Sequence, residues 1–142
     1  MFVLDTNVIS ELRKAGDDRV DPNVIAWLGN HDAAAFFLSA ITVMELEIGV
    51  RRIERRDRAQ GALLRAWLDG QVLPAFEGRV LPVDTAVALQ CARLHVPDPR
   101  SDRDALIAAT ALTHGMAVVT RNVADFQNLG LSLIDPWQAS SR

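Results

Sequence analysis

The sequence predicts an α/β protein, a three-layer α/β/α domain built on a central, mainly parallel sheet of about five strands. Three observations lead there. Short apolar runs alternate with longer segments whose apolar residues recur at helical spacing. Candidate strands are separated by candidate helices, which calls for crossover connections and parallel pairing. The chain has 142 residues, of which 49% are hydrophobic. That length suits one core, so a single domain over 1–142 is expected.

The elements follow in order. Phe2 to Leu4 reads as a strand, followed at once by a helix through Ser10, Glu11 and Leu12. A second helix starts near Pro22, since proline after Asp21 suits a first helical position, and carries Val24, Ile25, Trp27 and Leu28 on its apolar side. Phe36 to Leu38 is the next strand. From Thr42, the spacing of Leu46, Gly49 or Val50, and Ile53 is helical, and another helix holding Leu63, Leu64, Trp67 and Leu68 is expected to end before Pro74. Val80 and Leu81 form a short strand. Val87, Ala88, Cys91 and Leu94 continue helically until Pro97 and Pro99, and a fresh helix begins near Ser101. Its end is marked by His114 before Gly115. Ala117 to Val119 and Leu131 to Ile134 complete the strands. The tail from Gln138 to Arg142 is small and polar and is expected to fray.

Composition excludes several classes. Charged residues at 23% with eight Gly and six Pro lie far from a disordered composition. The net charge of −3, from 18 acids against 15 bases, excludes a wholly basic nucleic-acid scaffold, so any contact with nucleic acid must be local. Cys91 is the one cysteine and has no internal partner for a disulfide. No signal-like or membrane-spanning stretch opens the chain. Together these point to a reducing cytoplasm with no membrane association.

In an open parallel sheet, ligands bind outside the carboxyl ends of the strands, so the polar residues that follow each apolar run carry the information. Here they are mostly acids and amides: Asp5 after the first strand, Glu45 in the helix after the second, Asp104 opening the helix before the fourth, and Asn122 and Asp125 after the fourth. Each also has a local explanation. Thr42 to Glu45 and Ser101 to Asp104 both fit capping boxes, Asp5 suits a helix cap, and Asp125 suits a turn. Capping does not require acids to converge on one sheet edge, however, whereas binding a hard cation does. Two carboxylates ~5 Å apart at an effective dielectric of ~20 repel by roughly 3 kcal/mol. Lys14 is the one lysine of the sequence, so no lysine offsets that repulsion. A divalent ion bound through oxygen does, and Mg²⁺ (or Mn²⁺) with one or two carboxylates, water and substrate phosphate implies phosphodiester hydrolysis. Asp5 and Asp104 are the expected metal ligands, with Glu45 a further ligand or the group that orients the attacking water. Asn7, Thr120 and Asn122 would support them, and Arg121, beside the acidic edge, suits a phosphate.

The segments LDTNVISE (Leu4–Glu11), LSAITVMELEIGV (Leu38–Val50), RVLPVD (Arg79–Asp84), DALIAATA (Asp104–Ala111), VVTRNVADF (Val118–Phe126) and IDPW (Ile134–Trp137) resemble, in this order, the signature blocks of PIN-domain proteins, most of all the VapC toxins and their Fit-type relatives. The resemblance covers nearly the whole chain. It implies a Mg²⁺- or Mn²⁺-dependent endoribonuclease toxin, neutralised by a small antitoxin, working as a homodimer and reaching promoter DNA only through the antitoxin. It carries catalytic roles onto Asp5, Glu45 and Asp104. At the fourth acidic position, directly after Thr-Arg, this chain has Asn122, and Asp125 is the nearest carboxylate. An amide supplies a carbonyl but no charge, which weakens any second metal site.

The basic run Arg51, Arg52, Arg55, Arg56 and Arg58 is the other marked feature. On an ideal helix, Glu45, Gly49, Arg52 and Arg56 share a face and would lead RNA phosphates toward the acids. The alternative is a solvated face paired by Glu54 and Asp57. His31, His95 and His114 share no ligand spacing, which argues against zinc. Trp27, Trp67 and Trp137 read as core or interface anchors, and Cys91 as a buried, inert thiol. The apolar excess between Val20 and Leu73 is expected to form an antitoxin or dimer surface. A rival class is a partner subunit of weak activity that tightens an antitoxin's hold on DNA. A phosphoaspartate receiver would need a lysine near its last strand, and a haloacid dehalogenase-like phosphatase an Asp where Asn7 stands.

Overall fold

The computed structural model describes residues 1–15 and 18–138. The strands are β1 (Phe2–Leu4), β2 (Phe36–Ser39), β3 (Val80–Leu81), β4 (Ala117–Val119) and β5 (Leu133–Ile134). The helices are α1 (Thr6–Leu12), α2 (Pro22–Gly29), α3 (Ala40–Arg56), α4 (Arg58–Trp67), α5 (Leu73–Ala75), α6 (Thr85–Leu94) and α7 (Asp102–His114). All neighbouring strands pair parallel, in the order β3-β2-β1-β4-β5. The chain winds outward from β1 through β2 to β3 and then returns to the other side of β1, so the order reverses between β1 and β4. Such a reversal leaves a crevice at the carboxyl ends of the two strands.

Side-chain alternation along three-residue strands is enough to define two faces. Leu4, Leu38 and Val119 are buried with Val8 and Ile9 of α1 and with Leu46 and Val50 of α3. Val3 and Val118 face the other way, onto Ile107, Ala108 and Ala111 of α7. There α6 closes the layer by setting Val87 and Cys91 against Ala105 and Ala109. The three-layer α/β/α arrangement is thus in place, and no helix among the described residues is long and apolar enough to cross a membrane.

The helix starts follow side-chain chemistry, with two departures from expectation. Asp21 accepts bonds from the Asn23 and Val24 N–H groups ahead of Pro22, and Asp84 caps α6 through Val87 N–H. The α3 cap is Ser39, whose Oγ accepts from Ile41 N–H at 3.0 Å, so Thr42 lies inside the helix and the expected Thr42 capping box does not form. Ser101 stands at the start of α7 but makes no side-chain cap bond, which removes the second capping box and leaves Asp104 without that local explanation. Gly115, at φ 67°, closes α7 in the left-handed conformation expected after His114.

Two boundaries also differ. The helix through Trp67 does not stop before Pro74. A π turn over Leu68–Val72, in which Leu73 N–H reaches back to Leu68 O, widens the path, and α5 then carries Pro74 in its first turn. There a ring nitrogen with no hydrogen costs no helical bond. Strand β5 is shorter than the expected Leu131–Ile134 because Gly130, at φ 75°, is still turning the chain. The expected fraying of the tail falls largely on residues 139–142, outside the described residues.

The pairing of α3 with α4 is close and polar. Arg65 of α4 reaches Glu47 at 2.7 and 2.9 Å and Glu54 at 3.2 Å, and Asp57 caps α4 through Gln60 N–H. Glu54 and Asp57 are therefore engaged with α4, and the ion pairs of the described residues join neither to the arginine run, although Asp57 lines the same hollow as Arg56. A Cβ on Gly61 would lie 2.5 Å from Glu54 Cα, inside the contact distance of backbone atoms. We predict that Gly61→Ala destabilises the fold by about 1–3 kcal/mol in urea unfolding, although Ala is the better helix former in isolation. A stabilised variant would contradict this packing.

Candidate active site

The crevice at the reversal point is a cleft of about 460 Å³. Asp5, Asn7, Glu45, Asp104, Arg121 and Asn122 line it, so six sequence-predicted residues from four separate blocks meet there.

Asp5 follows β1 directly and is only 5% exposed. Its backbone N–H extends the parallel ladder to Val119 O at 2.9 Å, which ties it to the end of β4. Thr120 Oγ1 donates to Asp5 Oδ2 at 2.8 Å, Asn7 Nδ2 donates to the same oxygen at 3.3 Å, and Thr6 N–H donates to Oδ1 at 2.8 Å. Thr120 in turn accepts from Asn7 Nδ2 and from Asn122 N–H, while Asn7 Oδ1 accepts from Arg121 N–H. The expected supporting residues thus form one network that locks the Asp5 carboxylate and the loop after β4. A charge-assisted bond to a buried carboxylate is shorter and stronger than a neutral one, which makes Thr120 the principal fixing contact.

Glu45 enters from the second turn of α3, where Thr6 Oγ1 donates to its Oε1 at 2.6 Å and the Thr42 hydroxyl lies 3.3 Å from that of Thr6. Arg103 Nη1 stands 3.7 Å from Glu45 Oε2. Contrary to the sequence expectation, Lys14 also lines the cleft, where it pairs with Glu11 at 3.1 Å, so a lysine and an arginine both offset part of the acidic charge. Thr6, Thr42 and Arg103 are participants that the sequence reading missed. All three sit within three residues of an expected acid, but hydroxyl bridges between distant helices leave no spacing signal.

Burial raises the Asp5 carboxyl above its usual range, partly opposed by the Thr120 and Thr6 hydrogen bonds and reinforced by the charges of Glu45 and Asp125. Burial first, then the charges of Asp5, Asp125 and Glu45, push Asp104 up to about 6. Asp125, on the single turn Val123–Phe126, thus acts on both other aspartates through space. Asn122 sits on the cleft wall itself.

Hard oxygen donors in a field of mutual repulsion have the chemistry that suits a divalent cation. Among the described residues, no group of three or more His, Cys, Asp or Glu side chains is arranged to hold a metal ion by itself. Mg²⁺ takes one or two carboxylates and keeps water for the rest, so it does not need such a group.

The other expectations resolve individually. Arg121 lies with its guanidinium 5.3 Å from the Trp137 ring centre, and Trp137 also lines the cleft. Trp137 is thus a cleft residue as well as a core neighbour. Trp27 stacks among Phe2, His31 and Phe36. The His31 ring bonds Trp27 O, and His95 accepts from Arg100 N–H. Cys91 is buried, and burial raises its thiol. Leu28, Leu64, Trp67 and Leu73 pack against the core, which accounts for much of the apolar excess after Val20, while Leu63 remains exposed.

A PIN-domain family model matches residues 2–130, and the chain belongs to that family. It is 42% identical over 143 residues to the VapC ribonuclease Y4jK of Sinorhizobium fredii, covering 97% of this chain and 99% of the relative. It is 36% identical to Toxin FitB of Neisseria gonorrhoeae, covering 96% and 99%. The solved structure of FitAB bound to an IR36 DNA fragment superposes with a TM-score of 0.83 at 32% identity, covering 99% of this chain and 98% of that one.

An acid whose folded pKa is raised contributes stability that is fully present below its unfolded value, near 3.8, and is lost as pH rises through about 6. Asp104→Asn removes that penalty. We predict that in metal-free buffer the variant melts about 2–4 °C above the parent at pH 7.5, and at the same temperature near pH 4. Equal melting at both pH values would contradict the crowding of the acids.

Proposed function

We propose that this chain is a divalent-metal-dependent endoribonuclease, the toxin of a type II toxin–antitoxin pair, that hydrolyses RNA phosphodiester bonds with water as nucleophile. The observation that carries the reading is the convergence of Asp5, Glu45 and Asp104 on the cleft at the β1–β4 crevice, with Asp125 outside its lining but near enough for its charge to act on both aspartates. Membership of the PIN family supports it, as do a relative named a ribonuclease and another named a toxin.

Asp5 and Asp104 would hold Mg²⁺ or Mn²⁺, with Glu45 a further ligand or the group that orients the attacking water. When bound, such an ion supplies a water that is nucleophilic near neutral pH and positive charge for the leaving oxygen. The chain's own contribution is placement and field. Thr120 and Asn7 hold the Asp5 carboxylate in one orientation, and Thr6 does the same for Glu45. Arg121, steadied over Trp137, offers a planar fork to a phosphate at the cleft mouth. Asp125 adds negative charge that favours cation binding in place of Asn122. No histidine lines the cleft, so proton transfer falls to carboxylates and water.

A small antitoxin, a second copy of the chain, and promoter DNA reached only through the antitoxin are the partners this reading assigns. The DNA-bound FitAB structure supports the last of these. The cytoplasm is the compartment it assigns.

The test is to incubate the antitoxin-free chain and its Asp104→Asn variant with total bacterial RNA, in Mg²⁺, Mn²⁺ or chelator, and to map the cut ends. Discrete metal-dependent cuts, leaving 5′-phosphate and 3′-hydroxyl ends and lost in the variant, are expected. Cyclic phosphate ends, or cuts that persist in chelator, would overturn the mechanism. Uncut RNA in every arm would favour the partner-subunit reading.

A further inference from the structure

Arg103 is the residue of the site that local structure least explains. It stands in the first turn of α7 between Asp102 and Asp104, at the helix end whose N–H groups carry partial positive charge and where a cation is disfavoured. Residues adjacent in sequence do not face each other on a helix, so neither aspartate is placed to pair with it. Its guanidinium reaches Glu45 Oε2 instead, at 3.7 Å.

That contact crosses the molecule. Glu45 lies on α3, which packs Leu46 and Val50 on one face of the sheet, whereas α7 packs Ile107, Ala108 and Ala111 on the other. Thr6 of α1 holds Glu45 Oε1 at 2.6 Å from within the first layer, and Arg103 reaches Oε2 from the second. Among the described residues, no other ion pair reaches Asp5, Glu45, Asp104 or Asp125. Lys14 pairs with Glu11, and Arg121 lies over Trp137. The side chains of Arg103 and Glu45 are 47% and 23% exposed, and a pair so open to solvent adds little to stability. What remains is its effect on the acidic cluster.

We propose that Arg103 is a positioning residue with a second effect on cation binding. It holds the Glu45 carboxylate in place for the attacking water, and as the cluster's own counter-charge it weakens the grip of the acids on a divalent ion. The inference rests on the ribonuclease reading and takes one side of a choice which that reading leaves open. A cation drawn onto Glu45 would stand against the guanidinium, so Asp5 and Asp104 carry the ion and Glu45 is left to orient water. The two effects have opposite signs: removing Arg103 tightens cation binding and slows the cut. Neither a purely structural role nor an ordinary contact with RNA gives that combination.

The experiment measures the Mn²⁺ affinity of the antitoxin-free chain by calorimetry without RNA and, separately, kcat and KM on a short RNA carrying a cut mapped with the parent. Arg103→Gln is expected to bind Mn²⁺ roughly five-fold more tightly, since salt screens little of the repulsion between charges a few ångströms apart. Its kcat is expected to fall about ten-fold with KM within about two-fold of the parent, the pattern of a misplaced reacting group. Arg103→Lys keeps the charge without the planar fork, and is expected to keep the parental Mn²⁺ affinity and recover part of kcat. Arg93→Gln removes an exposed charge of α6 that does not line the cleft, and is expected to match the parent in both measurements. Arg103→Met keeps the apolar stem and repeats the test should the Gln variant melt early.

Unchanged Mn²⁺ affinity or unchanged kcat in Arg103→Gln would overturn the assignment. So would a raised KM at parental Mn²⁺ affinity, which would make Arg103 a phosphate contact, or an equal tightening in Arg93→Gln, which would show a diffuse effect of net charge. A parent that binds no Mn²⁺ would overturn the ribonuclease reading and this inference with it. A parent that binds Mn²⁺ and cuts RNA beside unaltered Arg103 variants would overturn this inference alone.

Discussion

The parallel pairing of β1 with β4 is the constraint on which the rest of the molecule depends. It sets Val3 beside Val118 and Leu4 beside Val119, and it carries the ladder one bond further through Asp5 N–H. Because the strand order reverses at that seam, the ends of β1 and β4 open into a crevice that no crossover helix covers. Asp5 and Thr120 are the first residues past the two strands, and the hydrogen bond between them fixes the carboxylate around which the other acids gather. A slip of one residue in this pairing would turn Asp5 into the hydrophobic layer and bring Leu4 to the edge.

Gathering those acids opposes folding. Asp5 is buried, Asp104 is pushed up to about 6, and Glu45 and Asp125 add charge to both. Packing elsewhere in the fold opposes this cost: alanines let α7 lie close on the sheet, and the Gly61 contact with Glu54 and the Arg65 network hold α4 against α3. Strain of this kind concentrates at functional sites, where a ligand of opposite charge relieves it. Arg103 provides a small part of that relief within the chain, at 3.7 Å from Glu45.

Much of this was legible in the sequence, and the reasons are local. Short apolar runs located β1, β2 and β4, and the Asp-Pro pair located α2. The sheet-edge rule then picked out Asp5, Glu45 and Asp104 with no contact information, since each follows or opens an element whose direction was already known. What escaped were features made by non-local geometry. The Ser39 cap displaced Thr42 into α3, because the chain passes from strand to helix without a loop. The π turn carried the helix past Pro74, and a proline in sequence does not reveal whether the preceding turn can widen. The Thr6 to Glu45 bond joins residues 39 apart, and the pairing of Glu47 and Glu54 with Arg65 decides which arginines of α3 stay free. A helical wheel of α3 alone showed the face but could not show which charges α4 would claim.

The central claim is that the fold crowds carboxylates at the β1–β4 crevice in a state that a divalent cation relieves. It is tested most directly by following the Asp104 side-chain carboxyl by carbon-13 NMR through a pH titration, without and with Mg²⁺. The account predicts a midpoint near 6 in the metal-free protein that falls when Mg²⁺ competes with the proton. A midpoint near the ordinary aspartate value that Mg²⁺ leaves in place would contradict it.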